Sequence, residues 1–495
     1  MVKSGVPYFF RKLWVWRIRH IPQKQFIYFV SIWVGFLSGL AAVVIKNGTH
    51  FIELLLESAF IKSYQEALYF VFPLIGILLV FLFTKYILRN PITQGIPATL
   101  FAISKRKGLM KRFQTWGSLV AAPLTVGFGG SVGLEGPTVA TGAALSSKLS
   151  RWLHLNQATR TLLIGCAAAG AMASLFKAPI AAIIFAVEVF SLDLTLASLI
   201  PLLLASLSAS ITSYFFFGND VLLPFNVTEE FTLKQLPFYC ILGLIAGLIS
   251  IYFTKVYALI QHFFDSKKSA LKRLLIGGVG IAVLVYLIPP LYGEGFKVIN
   301  TLVQGNPELA LKNNLFTFNT ENLWVVIALL AGLVIFKVIA SAFTFGAGGV
   351  GGIFSPSLFM GSIMGFCVAK SINALSWLRD PLPESSFTLV GMAGLMAGVL
   401  HAPLTAIFLI AEVTGGYMLF IPLMITAALS YTLTKTIVPH SVYAMELGKR
   451  GELITHDKDH AVLTLLDVET VIEKQFMPIY LDWHLKTIID KAVVP

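Results

Sequence analysis

Two glycine-rich breaks interrupt the apolar stretches of this chain, and one of them carries an acid. They are Gly127-Phe-Gly-Gly-Ser-Val-Gly-Leu-Glu-Gly-Pro137 and Gly346-Ala-Gly-Gly-Val-Gly-Gly-Ile-Phe-Ser-Pro356. Pro97, Pro137, Pro179, Pro356 and Pro403 each precede an apolar run, and proline favours the first position of a helix, so each marks a candidate helix start. The first residues of a helix have backbone N–H groups with no intrahelical partner, and the helix dipole adds roughly half a positive charge there. Such donors can hold a desolvated anion without a buried Lys or Arg, which would be costly in a membrane and slow to release the ion. Glycine lets the backbone approach the ion closely. Glu135 is the exceptional residue, standing where the second break has Phe354. A carboxylate at an anion-binding helix start can occupy the position of the anion, which makes Glu135 a candidate gate. The plainer alternative is a static helix-capping acid.

Two enzyme signatures also occur. Gly129-Gly-Ser131-Val-Gly133 fits the nucleophile elbow of hydrolases, and Gly346-Ala-Gly348-Gly-Val-Gly351 fits a dinucleotide fingerprint. The first requires a preceding strand with an Asp and a His in hydrolase order, the second a βαβ unit, and neither context is present. An intramembrane protease using Ser131 is a remote alternative, because no Ser-His pair and no paired membrane aspartates appear.

The elements that must position these residues are membrane helices. The 495 residues are 56% hydrophobic and 13% charged, against about a quarter charged in soluble chains. Uncharged runs of spanning length occur at Ile27 to Ile45, Ala67 to Thr84, Thr195 to Phe217, Pro237 to Thr254, Leu274 to Gly293 and Tyr417 to Thr434. Net charge is +12, yet the bases lie in short segments between spans, which argues against nucleic-acid binding. Clusters at Lys3 to Lys24, Lys105 to Arg112 and Lys267 to Arg273 are expected on the cytoplasmic side. Cys166, Cys240 and Cys367 lie in apolar stretches and form no disulfide or metal pattern.

The chain is also duplicated. Ala167 to Val189 aligns without gaps on Gly391 to Val413 with ten identities, including Glu188 with Glu412 and Pro179 with Pro403. A duplicated membrane domain with Gly- and Pro-interrupted segments is the pattern of a transporter whose site lies between broken helices. The small residues of Ala167 to Ser174 are read as helix-packing residues and Glu188 and Glu412 as structural.

Four segments, Gly95-Ile96-Pro97, Gly133-Leu134-Glu135-Gly136-Pro137, Gly352-Ile353-Phe354-Ser355-Pro356 and Tyr443, resemble in order the anion-site segments of the CLC chloride channels and transporters. The likeness spans residues 25 to 450. It implies an all-α polytopic membrane protein of two inverted-topology repeats of tilted and broken helices, roughly 25–220 and 235–450. It further implies a homodimer with one pore per subunit in the cell membrane, with both termini cytoplasmic, chloride or another small anion as substrate, and neither cofactor nor enzymatic step. By the resemblance Glu135 is the gating glutamate. The anion site would be formed by Ile353, Phe354 and Tyr443, together with Gln94, Gly95, Gly133 and Gly136. Taken alone, Tyr443 reads as an interfacial aromatic. Three departures stand out. Gln94 replaces the usual serine, leaving nitrate or another halide open as substrate. Leu134 replaces the usual arginine, removing positive charge near the outer mouth. Val189 replaces an inner proton-accepting glutamate, which favours passive, channel-like conduction, voltage-gated conduction being the family's channel mode, over chloride/proton antiport. Residues 1–24 form a basic N-terminal segment. Residues 451–495 form a polar tail that from Val468 resembles the start of a CBS module, and no nucleotide site is expected there.

Overall fold

The computed structural model describes residues 17, 19–57, 65–92, 95–218, 231–311, 322–375, 380–445, 447 and 482–488. Gln94, most of the basic N-terminal segment and nearly all of the 451–495 tail lie outside these residues.

The first half contains α1 Gln23–Leu56, α2 Gln65–Leu82, α3 Gly95–Lys105, α4 Gly117–Gly127, α5 Glu135–Trp152, α6 Gln157–Phe176, α7 Pro179–Phe190 and α8 Leu196–Phe217. The second contains α9 Leu236–Asp265, α10 Ala270–Leu287, α11 Phe296–Val303, α12 Pro307–Ala310, α13 Leu323–Gly346, α14 Phe354–Ala374, α15 Glu384–Leu400, α16 Pro403–Val413 and α17 Phe420–Ile437. Nine helices among the described residues are long and apolar enough to cross a bilayer. Each of the six uncharged runs falls largely on one of the helices α1, α2, α8, α9, α10 and α17. The run expected to reach Gly293 ends as a helix at Leu287, because Pro289 and Pro290 form a short 3-10 turn instead. Spans α6, α13 and α14 carry Arg160, Lys337 and Lys370, so a search for uncharged runs passes over them.

The two halves are built alike. In the first, α1, α6 and α8 pack mutually, and in the second α9, α15 and α17 do the same. Lipid supplies no hydrophobic drive between helices, so close packing rests on small residues. A Cβ on Gly35 of α1 would lie 2.1 Å from the Ala205 carbonyl of α8. Gly170 faces Ala209 and Gly35, and its repeat mate Gly394 faces Thr426 and Ala246, which fits the packing role expected of Ala167 to Ser174. Backbone detail repeats as well. Gly129 and Gly348 have φ of +96° and +99°, and Lys177 and His401 turn left-handed at φ of 54° and 55° to end α6 and α15. Among the described residues the fold is therefore all-helical and built of two like halves. Apolar side chains such as Phe29, Trp33, Ile211, Phe215 and Leu248 stand exposed along the outer helices, as a lipid-facing surface requires.

Candidate functional site

The prolines do mark helix starts, in two ways. Pro179 and Pro403 occupy the first residue of α7 and α16, whereas Pro97, Pro137 and Pro356 occupy the third residue of α3, α5 and α14. Any of the first four positions tolerates proline, because the N–H it lacks would have had no intrahelical partner.

Helices α5 and α14 begin against each other. Gly133 N–H donates to Gly352 O at 2.9 Å and Gly352 N–H to Gly133 O at 2.8 Å. The breaks also exchange threonines: Val350 N–H donates to Thr125 Oγ1 at 3.0 Å and Ser131 N–H to Thr344 Oγ1 at 3.2 Å. Glycine is required because the backbones nearly touch. A Cβ on Gly95 would stand 2.0 Å from Gly136 O, and one on Gly136 would stand 2.8 Å from Gly351 O. The starts of α3, α5 and α14 therefore meet at one point.

Glu135 opens α5 and is 1% exposed. Its Oε1 accepts a hydrogen bond from Ser355 Oγ, and its carboxylate faces the backbone N–H groups of Glu135 itself and of Ser355. Its Oε2 is buried with no partner. The donors it meets thus come largely from the second repeat: an acid of one half lies at the open start of a helix of the other. Burying a carboxylate with one oxygen unsatisfied is costly, and an orphan of this kind points to a functional role.

The remaining expected site residues distribute as follows. Ile353 caps α14 and Phe354 opens it, within two residues of the Gly133–Gly352 bridge. The Phe354 ring is fully buried against Phe176 at 5.2 Å and Phe185 at 6.4 Å between centroids. Tyr443 is 4% exposed and its hydroxyl is buried without a partner. With Pro97, Ala98 and Tyr257 it lines a cavity of about 660 Å³ whose walls also include Arg106, Lys111, Gln261, His262 and Asp265. A separate pocket of about 10 Å³ is lined by Lys46, Leu134, Glu135, Leu175, Phe176, Glu294 and Phe296. Beside the uncharged Leu134, Lys46 of α1 brings a positive charge to this pocket.

The sequence reading missed Glu294 and Lys337. Glu294 Oε1 accepts the Leu134 N–H at 3.1 Å, at the very start of α5, and lies 3.5 Å from Ser355 Oγ. Lys337 is fully buried in α13, with Nζ 2.9 Å from Gly293 O and 4.7 Å from the Phe359 ring centre. A lone lysine in an otherwise apolar span was the signal that could have found it. Ser131 is buried, and its hydroxyl donates to Leu291 O at 2.6 Å, a structural tie that leaves it unlike an exposed nucleophile.

Glu188 and Glu412 take structural roles in a crossed form. Glu188, near the end of α7, accepts the N–H groups of Leu404 at 3.1 Å and Thr405 at 2.8 Å, and the Thr405 hydroxyl at 2.7 Å. Glu412, near the end of α16, accepts those of Ile180 at 3.2 Å and Ala181 at 2.9 Å. Each half caps a helix of the other. Val189 beside Glu188 is partly buried against the core.

A family model described as voltage gated chloride channel matches residues 75–435. A protein of Ralstonia nicotianae named as a ClcB-like chloride channel protein is 30% identical over 77% of this chain and 85% of its own length. A protein of Vibrio campbellii named H(+)/Cl(-) exchange transporter ClcA is 26% identical over 86% of this chain and 90% of its own. Among solved structures, a slow cyanobacterial Cl-/H+ antiporter superposes with a TM-score of 0.72 at 22% identity, covering 86% of this chain and 97% of its own. Paired helix breaks, a duplicated membrane fold and a match across most of the chain converge: this protein belongs to the voltage-gated chloride channel family, the CLC family.

Proposed function

We propose that this chain carries chloride across the cell membrane along a path through the meeting point of α3, α5 and α14, with Glu135 as its gate. The observation that carries the reading is the Glu135 carboxylate lying buried at the start of α14 with one oxygen unpartnered. An anion arriving there would meet the same first-turn N–H donors. In this reading the backbone of Ile353 and Phe354 and the hydroxyl of Tyr443 hold the ion. Gly95, Gly133 and Gly136 let the backbones close around it, and Gln94 contributes from a position outside the described residues. Nitrate or another halide in place of chloride is the variation that Gln94 raises. The basic walls of the larger cavity, Arg106 and Lys111, suit an anion vestibule on the cytoplasmic side, with both termini on that side. Two copies would assemble, each with its own path, and transport would need no covalent step and no cofactor.

Passive conduction is supported by Val189, since an isopropyl group relays no proton. Chloride/proton exchange is the second reading, and the name of the Vibrio campbellii relative favours it. Purified protein in liposomes, given an outward chloride gradient with external pH followed, separates them. Chloride efflux without proton movement supports conduction. Uphill proton movement lost on Glu135→Ala supports exchange, and no chloride flux under any gradient overturns the whole reading.

A further inference from the structure

Glu135 is 1% exposed and faces a pocket of only about 10 Å³, too tight for bulk water, so a proton reaching it from the outer solution needs a neighbouring group to hand it over. Glu294 is half-buried in the loop between α10 and α11 and lines that pocket with Glu135 and Lys46. Its Oε1 lies 3.5 Å from Ser355 Oγ, and Ser355 donates to Glu135 Oε1. A single hydroxyl thus stands between two carboxyl groups, one deeply buried and one within reach of water. The loop is held in place from three sides. Lys337 donates to Gly293 O at 2.9 Å, Ser131 to Leu291 O at 2.6 Å, and the Tyr292 hydroxyl to Gly127 O at 2.7 Å. The charged groups facing Glu294 are Glu135 from α5, Lys46 and Glu53 from α1 and Lys337 from α13. With cations and acids mixed in this way, one proton can enter or leave without stranding a large net charge.

We propose that Glu294 is the outer proton donor and acceptor for Glu135, acting through the hydroxyl of Ser355. This rests on the reading of Glu135 as the gate. In the inward step the O–H bond of the Glu294 carboxyl breaks and its proton passes to Ser355 Oγ. The proton already on Ser355 passes to Glu135 Oε1. Serine ends as a hydroxyl, Glu294 as a carboxylate and Glu135 as a neutral acid, with one proton moved and nothing oxidised or reduced. The step requires the Ser355–Glu294 contact to shorten from 3.5 Å to ordinary hydrogen-bond length.

The test follows chloride efflux from liposomes after a sudden acidification of the outside, for the wild type, Glu294→Gln, Ser355→Ala and Glu135→Gln. Gln at 294 keeps an oxygen for the Leu134 N–H but cannot pass on a proton. A positioned proton donor contributes roughly a hundredfold or more to transfer, so flux onset in Glu294→Gln should slow at least tenfold. Its final level should stay near the wild-type value, and acidification of the inside should give wild-type onset. Ser355→Ala should show the same slowing, which keeps the test alive if Glu294→Gln does not fold. Wild-type onset in both variants overturns the relay. So does equal slowing from both sides, which would mark a general disturbance of the gate. If Glu135→Gln itself keeps the wild-type response to pH, the gate reading fails and the relay falls with it.

Discussion

Ionised, the Glu135 carboxylate is held by Ser355 and by the positive end of α14; protonated, it keeps the neutral hydrogen bond but loses the attraction of the dipole. That attraction is worth up to about 2 kcal/mol in partly buried settings, roughly thirtyfold in occupancy. The sign follows directly: lowering the pH neutralises the acid, loosens it and frees its donors, so chloride flux should rise as the outer solution is acidified. Glu135→Gln should conduct at a rate independent of pH, as read by a chloride electrode on liposomes; a retained acid response would refute the gate. Phe354 makes a different prediction, because its ring fills the space between Phe176 and Phe185. Phe354→Ala should cost about 3–5 kcal/mol and lower the unfolding temperature in detergent, and an unchanged melting curve would show that the neighbouring rings close the gap. At this scale the sequence exposed Glu135, because an acid among glycines and apolar residues is costly in a membrane and marks a functional candidate ahead of a static cap. Glu294 stayed hidden. It stands just past the apolar run Leu274 to Gly293, and only the tertiary fold sets it against Leu134, 160 positions away in the chain.

The breaks between helices, rather than the helices, carry the geometry of the site. Gly95 touches Gly136 so closely that Gly95→Ala must push α3 away from α5. Overpacking of this kind costs typically 1–3 kcal/mol. The variant should fold with reduced flux, and wild-type flux would show that α3 contributes no part of the path. Glu188 and Glu412 serve their elements differently, each closing the start of a helix in the opposite half. Hydrogen bonds to a charged group are worth about 1.5–3 kcal/mol net, so Glu188→Ala and Glu412→Ala should each destabilise by about that much. Because both act at the contact of α7 with α16, the double variant should depart from additivity, and strict additivity would argue that the two caps do not share one contact. The duplication was legible as ten shared residues, and it correctly marked both glutamates as structural. The crossing was not, since a repeat seen in one dimension shows which positions correspond but not which of them face each other.

Across the whole molecule, the proposed path and its gate fall within residues 25–450, so a chain ending at Arg450 should keep chloride flux in liposomes. Loss of flux in a well-folded truncation would give the tail a role. The span count was under-read from sequence because Arg160, Lys337 and Lys370 each break an uncharged run, although protein rather than lipid surrounds Lys337. Membrane helices bury charge where partners wait for it, and such partners are invisible to hydropathy. The exchanged contacts have a further consequence. Gly133 with Gly352, Thr125 with Val350, Thr344 with Ser131, Glu188 with Thr405 and Glu412 with Ala181 all join one half to the other. A polypeptide severed between the two repeats would therefore yield fragments that are each unfinished and mutually complementary. Produced together in one cell they should find each other and restore transport, while either alone should be degraded: the molecule behaves as a heterodimer that happens to be written on one chain.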